Sequence, residues 1–240
     1  MNYIKLFAAL IVCALLTGCL YPEERLAQNS VPYDDQIVSV QNAVDRFQEE
    51  SGGLLPIKTR DMETPIYQKY PIDFNKLAPK YMAEPPGTSF ENGGIYLYVL
   101  VNVEEDPTVK LIDLRISEKI RDLNLRLNVY RQSNGYPPYK EQITGGVYTL
   151  DYKELGYEQE PTVQSPYSGE FLPLVIDADL SIYVDYRLDL YKKLSEKEHS
   201  YKHGEDIRSI LVNDSPFVPV YSLPYTVDKK NEPIFMADSK

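Results

Sequence analysis

The sequence predicts an α+β protein in which one unit, a helix followed by an antiparallel hairpin, is written twice and then begun a third time. Three observations predict it. Two helical faces of the same spacing start 83 residues apart; the loops behind them carry matching residues in the same order; and each unit closes on two strand-like runs around an acidic turn.

Ile37, Val40, Val44 and Phe47 recur at steps of three and four, which places them on one face of a helix. Asp34 or Asp35 can cap its start and Gly52-Gly53 can stop it. Ile120, Leu123, Leu127 and Tyr130 repeat the spacing, with Ser117 as the expected cap and Gly135 as the stop. Loop residues continue the agreement. Pro56-Ile57-Lys58 answers to Pro138-Tyr139-Lys140, and Asp73 with Leu77 answers to Asp151 with Leu155. Tyr81, Glu84 and Pro85 answer to Tyr157, Glu160 and Pro161, and Ser89 and Gly93 to Ser165 and Gly169. Ile112-Asp113-Leu114-Arg115 answers to Val184-Asp185-Tyr186-Arg187. The offset falls steadily from 83 to 72 residues, as expected when the connections of a duplicated unit shorten.

Ile95 to Val103 alternates aliphatic residues with Tyr96 and Tyr98, a strand with its aliphatic side buried and its tyrosine side half exposed. Val109 to Asp113 is its expected hairpin partner. Phe171 to Ile176 and Leu180 to Tyr186 form the second pair, around Asp177-Ala178-Asp179. A truncated third copy starts at Leu188, Tyr191 and Leu194, with Asp206 and Ile210 in the places of Asp73 and Leu77. There Ser215-Pro216-Phe217 echoes Ser165-Pro166-Tyr167, and Val218–Val220 and Ile234–Met236 are expected edge strands. The expected division is repeat 1 at 36–115, repeat 2 at 116–187, and a partial repeat with the C-terminal tail at 188–240. A unit of this size is marginal alone, so the copies are expected to share a core.

Composition excludes several function classes. The 36 acidic and 25 basic residues give a net charge of −11, which disfavours nucleic-acid binding. Two Cys supply neither a zinc knuckle nor a disulfide framework.

At the N-terminus, Lys5 precedes an eleven-residue apolar run, Leu6 to Leu16, too short to span a bilayer and suited to a secretory signal peptide. The junction Leu16-Thr17-Gly18-Cys19 resembles the bacterial lipobox. That resemblance implies cleavage after residue 18, a diacylglyceryl group on Cys19, further acylation such as palmitate on the new N-terminus, and a cell-membrane protein on the extracytoplasmic face. Residues 19–35, polar and broken by proline, read as a tether. Loss of Lys5 would take the mature charge to −12, so the lipid and not the protein surface must hold the chain to anionic lipid heads.

GCLYPEERLAQN together with VQNAVDRFQEESGGLLPIKT resembles a group of lipoproteins of Gram-positive, spore-forming bacteria (YphF-like). Gly52-Gly53, Pro56, Leu77-Ala78-Pro79-Lys80-Tyr81, Pro85, Gly94 and Tyr96-Leu97-Tyr98 resemble the globular part of pseudopilins, in architecture only.

Candidate chemistry is sparse. His199 and His203, four apart, would share a helical face and are the weak metal candidates; the polar, lysine-bearing surroundings favour a solvated helix end. Asp177-Ala178-Asp179-Leu180-Ser181 spaces oxygens like a calcium loop but lacks the loop's glycine and terminal glutamate, so a hairpin turn is expected. Asp73, Asp151 and Asp206 read as caps of short turns. No G-x-S-x-G elbow or glycine-rich phosphate loop occurs, and no catalytic residue or cofactor is expected. The 21 Tyr, without any Trp, suit a contact surface. The expected function is a non-enzymatic interaction or accessory lipoprotein that docks an envelope protein through an acidic, tyrosine-bearing surface. The alternatives are a solute-binding component of a transporter, with its ligand between the copies, and a cell-wall hydrolase.

Overall fold

The computed structural model describes residues 33–196 and 199–236. The signal peptide, Cys19 and most of the tether lie outside the described residues. Helix α1 (Tyr33–Glu50) carries Asp34 and Asp35 in its first turn, where carboxylates oppose the positive end of the helix dipole. Residues 33–35, assigned above to the tether, are therefore helical. Gly52 and Gly53 adopt φ +73 and +95, and the Gly53 N–H returns to the Gln48 carbonyl, ending the helix. Val40, Ala43, Val44 and Gln36 are buried, with Ile37 and Phe47 half-buried beside them.

A long irregular connection follows, in which Ile57 bridges Ile72 and a short helix, α2 (Phe74–Leu77), is capped by Asp73. Strands β1 (Tyr96–Val101) and β2 (Thr108–Asp113) pair antiparallel, Tyr96 opposite Asp113 and Val101 opposite Thr108. Helix α3 (Leu114–Asn134) begins directly, capped by Asp113 and closed by Gly135 at φ +83. Ser117, the expected cap, lies inside this helix, because the Asp113 carboxylate already accepts the Arg115 N–H at 3.0 Å.

Strands β3 (Tyr139–Thr144), β4 (Val147–Leu150), β5 (Thr162–Gln164), β6 (Phe171–Asp177) and β7 (Ile182–Val184) form one sheet of order β3-β4-β6-β5, with β7 paired to β6. Helices α4 (Arg187–Glu196) and α5 (Ser209–Asn213) and the hairpin β8 (Tyr225–Val227) with β9 (Pro233–Phe235) complete the chain. Mixed helices and antiparallel sheets make the protein α+β. Ile234–Met236 was expected as a strand and overlaps β9. Val218–Val220 was too, but Phe217 makes a single parallel bridge to Leu111 instead. Pro216 and Val218 bond the outer edge of β2 on either side of that bridge.

Two apolar clusters meet on the β1–β2 hairpin. Val99, Val101 and Ile112 face the larger one, with Ile116, Ile120, Leu123 and Leu127 of α3 and the inner residues of the five-stranded sheet. Tyr98, Leu100, Val109 and Leu111 face the smaller one, with Val40, Ala43 and Val44 of α1. The expectation of a half-exposed tyrosine side fails at Tyr98, which is fully buried, because α1 covers that face. Its hydroxyl lies 2.8 Å from Thr88 Oγ1, which donates to the buried Gln36 side chain.

The three Asp-x-Arg stretches fold alike. In Asp113/Arg115, Asp185/Arg187 and Asp206/Arg208 the carboxylate accepts the arginine's backbone N–H at 3.0–3.1 Å and its guanidinium in a fork. One carboxylate therefore caps the following turn and orients a cation. The arginines at 115 and 187 are held in this way. Ser165 and Ser215 likewise each accept the backbone N–H two residues on, from Tyr167 and Phe217.

Candidate functional site

The histidines are not on one helical face. Helix α4 ends at Glu196, and His199 and His203 lie in irregular backbone beyond it. His203 Nδ1 is 2.9 Å from the Val227 carbonyl, to which it donates, and the His199 ring packs beside Tyr201. Among the described residues no group of three His, Cys, Asp or Glu gathers. Asp177 spends its carboxylate on the hairpin, accepting from the Ser181 N–H at 2.8 Å and the Tyr183 hydroxyl at 3.0 Å. Asp73, Asp151 and Asp206 each accept the N–H two residues on, which is the geometry of a cap.

A polar cluster at Asp189 escaped the sequence reading. Asp189 is 1% exposed and accepts from Ser165 Oγ at 2.8 Å and Ser168 Oγ at 2.5 Å, pinning the 165–169 loop to α4. Burial raises its carboxyl above the usual 3.8, only partly offset by the two hydroxyls. A raised acid binds its proton more tightly folded than unfolded. This group's contribution is therefore most favourable below about pH 3.9 and is lost as pH rises through the folded value. Asp189→Asn removes that loss while keeping polar partners for both serines. Its thermal midpoint relative to wild type is expected to rise between pH 4 and pH 7; a pH-independent difference would show that the site carries no excess proton affinity.

An open surface lies where α3 leaves the β1–β2 hairpin. On one side of Arg115 runs a groove of ≈ 470 Å³, lined on the helix by Asp113, Ile116 and Lys119 and opposite by Tyr157, residues 159–164 and Phe171. On the other side a second groove of ≈ 400 Å³ is lined by Phe90, Gly94, Ile95, Leu114, Ser117, Glu118, Arg121 and Tyr221. Arg115 lines both. Phe171 is 69% exposed, Phe90 63% and Ile95 43%, each beside polar residues of its groove. The rim mixes Arg115, Lys119 and Arg121 with Glu118 and Glu160, so it is not acidic.

Each groove includes one tyrosine, Tyr157 in the first and Tyr221 in the second. Tyr98, Tyr186 and Tyr225 are fully buried, and Tyr152 bonds the Leu174 carbonyl from inside the core. The exposed tyrosines, among them Tyr136, Tyr139 and Tyr191, line neither groove. Nothing local in the sequence marks Phe171 or Phe90, since an outward phenylalanine at a strand start reads like an inward one.

Fold and grooves together define an α+β body with open grooves along α3. Residues 33–113, which hold α1, α2 and the β1–β2 hairpin, match the model of the YphF family N-terminal domain and are similar to it over that stretch. No curated protein and no solved structure matches the chain.

Proposed function

We propose that the protein is a membrane-anchored extracytoplasmic lipoprotein, built from a duplicated unit, that serves the cell envelope as a non-enzymatic interaction or accessory protein. The observation that carries the contact role is the double groove around Arg115, with Phe171, Phe90 and Ile95 exposed along it. The anchor rests on the lipobox at Cys19 and the short apolar run before it. The alike Asp-x-Arg clasps at Asp113/Arg115 and Asp185/Arg187, matched positions of the two copies, support the duplication.

Cys19→Ser is expected to abolish incorporation of labelled palmitate in cells and to move the protein out of the washed-membrane fraction. Retention of label on the serine variant would sink the anchor. A second reading, solute binding, draws on one observation: a groove of ≈ 470 Å³ lies within the size range of small-molecule sites. A thermal-shift screen with sugars, peptides and amino acids separates the two.

A further inference from the structure

The first groove is bounded on one side by a strand edge that nothing in the described chain covers. Ser165 N–H donates to the Glu170 carbonyl at 2.8 Å, and Val163 lies opposite Leu172 two residues earlier. In an antiparallel ladder the bonded pairs alternate. Ser165 and Val163 therefore bond toward β6, while Thr162 and Gln164 turn their backbone N–H and C=O groups the other way. That outward edge borders the groove, whose lining includes Thr162, Val163 and Gln164. Among the described residues no backbone group pairs with it.

The edges of the β1–β2 hairpin and of β3 are dealt with. Residues 70 and 72 bond the outer side of β1, and 216 and 218 that of β2. At the far end of the five-stranded sheet, β3 carries two register shifts and the exposed Lys140, devices that discourage strand pairing. The β5 edge has neither a bulge nor a cover.

We propose that an extended polypeptide segment of a membrane-proximal partner adds to the outer edge of β5, lying between that strand and the first two turns of α3. Backbone pairing supplies the fit, while the exposed Phe171 ring receives an apolar side chain of the segment. On the helix side Arg115 and Lys119 favour an acidic residue in the segment. Across the groove, Glu160 is engaged by Lys140 at 3.5 Å.

The location of the chain's entry favours a partner near the membrane, a point that rests on the lipid-anchor reading. Tyr33, the first described residue, packs with its ring centroid 6.2 Å from that of Tyr96. Tyr96 stands opposite Asp113, the residue that grips Arg115. Cys19 precedes Tyr33 by fourteen residues, at most about 50 Å of extended chain, which bounds the distance from the bilayer to this corner of the body.

The test selects peptides from a displayed random library on the full-length chain in detergent and measures the recovered peptides by fluorescence anisotropy. Selected peptides are expected to carry an apolar residue and an acidic one. Gln164→Pro removes an N–H that β6 does not use, and should weaken each peptide about tenfold or more. Lys119→Glu leaves the backbone untouched and should weaken them about threefold, keeping the test decisive if the proline variant melts early. No enrichment over an unrelated lipoprotein, or binding indifferent to both substitutions, overturns the proposal. So does a Gln164→Pro-sensitive dimer of the chain by itself, which would make the occupant a second copy. Binding in detergent does not depend on acylation, and Cys19→Ser does not touch the groove, so the two readings fail separately.

Discussion

Alanine at position 94 is expected to destabilise the chain by more than about 3 kcal/mol, enough to leave much of it unfolded at physiological temperature. A Cβ there would be driven into the backbone carbonyl group of Thr88. The Thr88 loop has no room to retreat. Its N–H and hydroxyl both bond the buried Gln36 side chain, and its carbonyl accepts the Tyr96 N–H at 3.0 Å. Gly94 itself bonds the Ser89 carbonyl at 2.7 Å, so relief on either side breaks the join between α1 and β1. The cost is read from urea unfolding followed by far-ultraviolet circular dichroism. A midpoint shift worth less than about 0.5 kcal/mol would mean that the loop does not pass behind position 94 as described.

Leu123→Ala is expected to cost about 3 kcal/mol, within the range for a leucine truncated in a closed interior. Leu123 is 0% exposed and sits between Ile120 and Leu127 in the larger cluster. Leu125, two residues on, is 64% exposed, and its alanine variant should fall within about 0.5 kcal/mol of wild type. Measuring both by denaturant unfolding separates packing from helix propensity, since the two substitutions change propensity equally. Equal losses at the two positions would contradict the inward face of α3.

What was legible follows from which physical signals are local. The faces of α1 and α3 could be read because a helix repeats its burial every three or four residues, and Gly52 and Gly135 stop them by a backbone conformation other residues resist. The capping role of Asp73, Asp151 and Asp206 was legible for the same reason, since carboxylate and turn are neighbours in sequence. Tyr98 was misread because alternation gives a strand two faces without saying which of them something else will cover. The covering residues, Val40, Ala43 and Val44, lie more than fifty positions away. Ser117 was misassigned as a cap because Asp113 begins the helix on the last residue of β2, leaving no linker between the two. The Asp189 cluster needs α4 brought against a loop about twenty residues earlier, and its partners are ordinary serines. Of the candidate surface, the sequence marked neither the phenylalanines nor the strand edge.

The β1–β2 ribbon has protein on both of its faces, and this bears on how the matched stretch can be dissected. The matched stretch 33–113 ends at the ribbon's last residue, yet Val99, Val101 and Ile112 belong to the cluster completed by the chain that follows. Cut after Asp113, the piece would retain its own small interior while presenting a naked greasy wall to water. The end of the match is thus not a seam in folding, and a fragment made to it would have to find another surface, its own twin included, to stay dissolved.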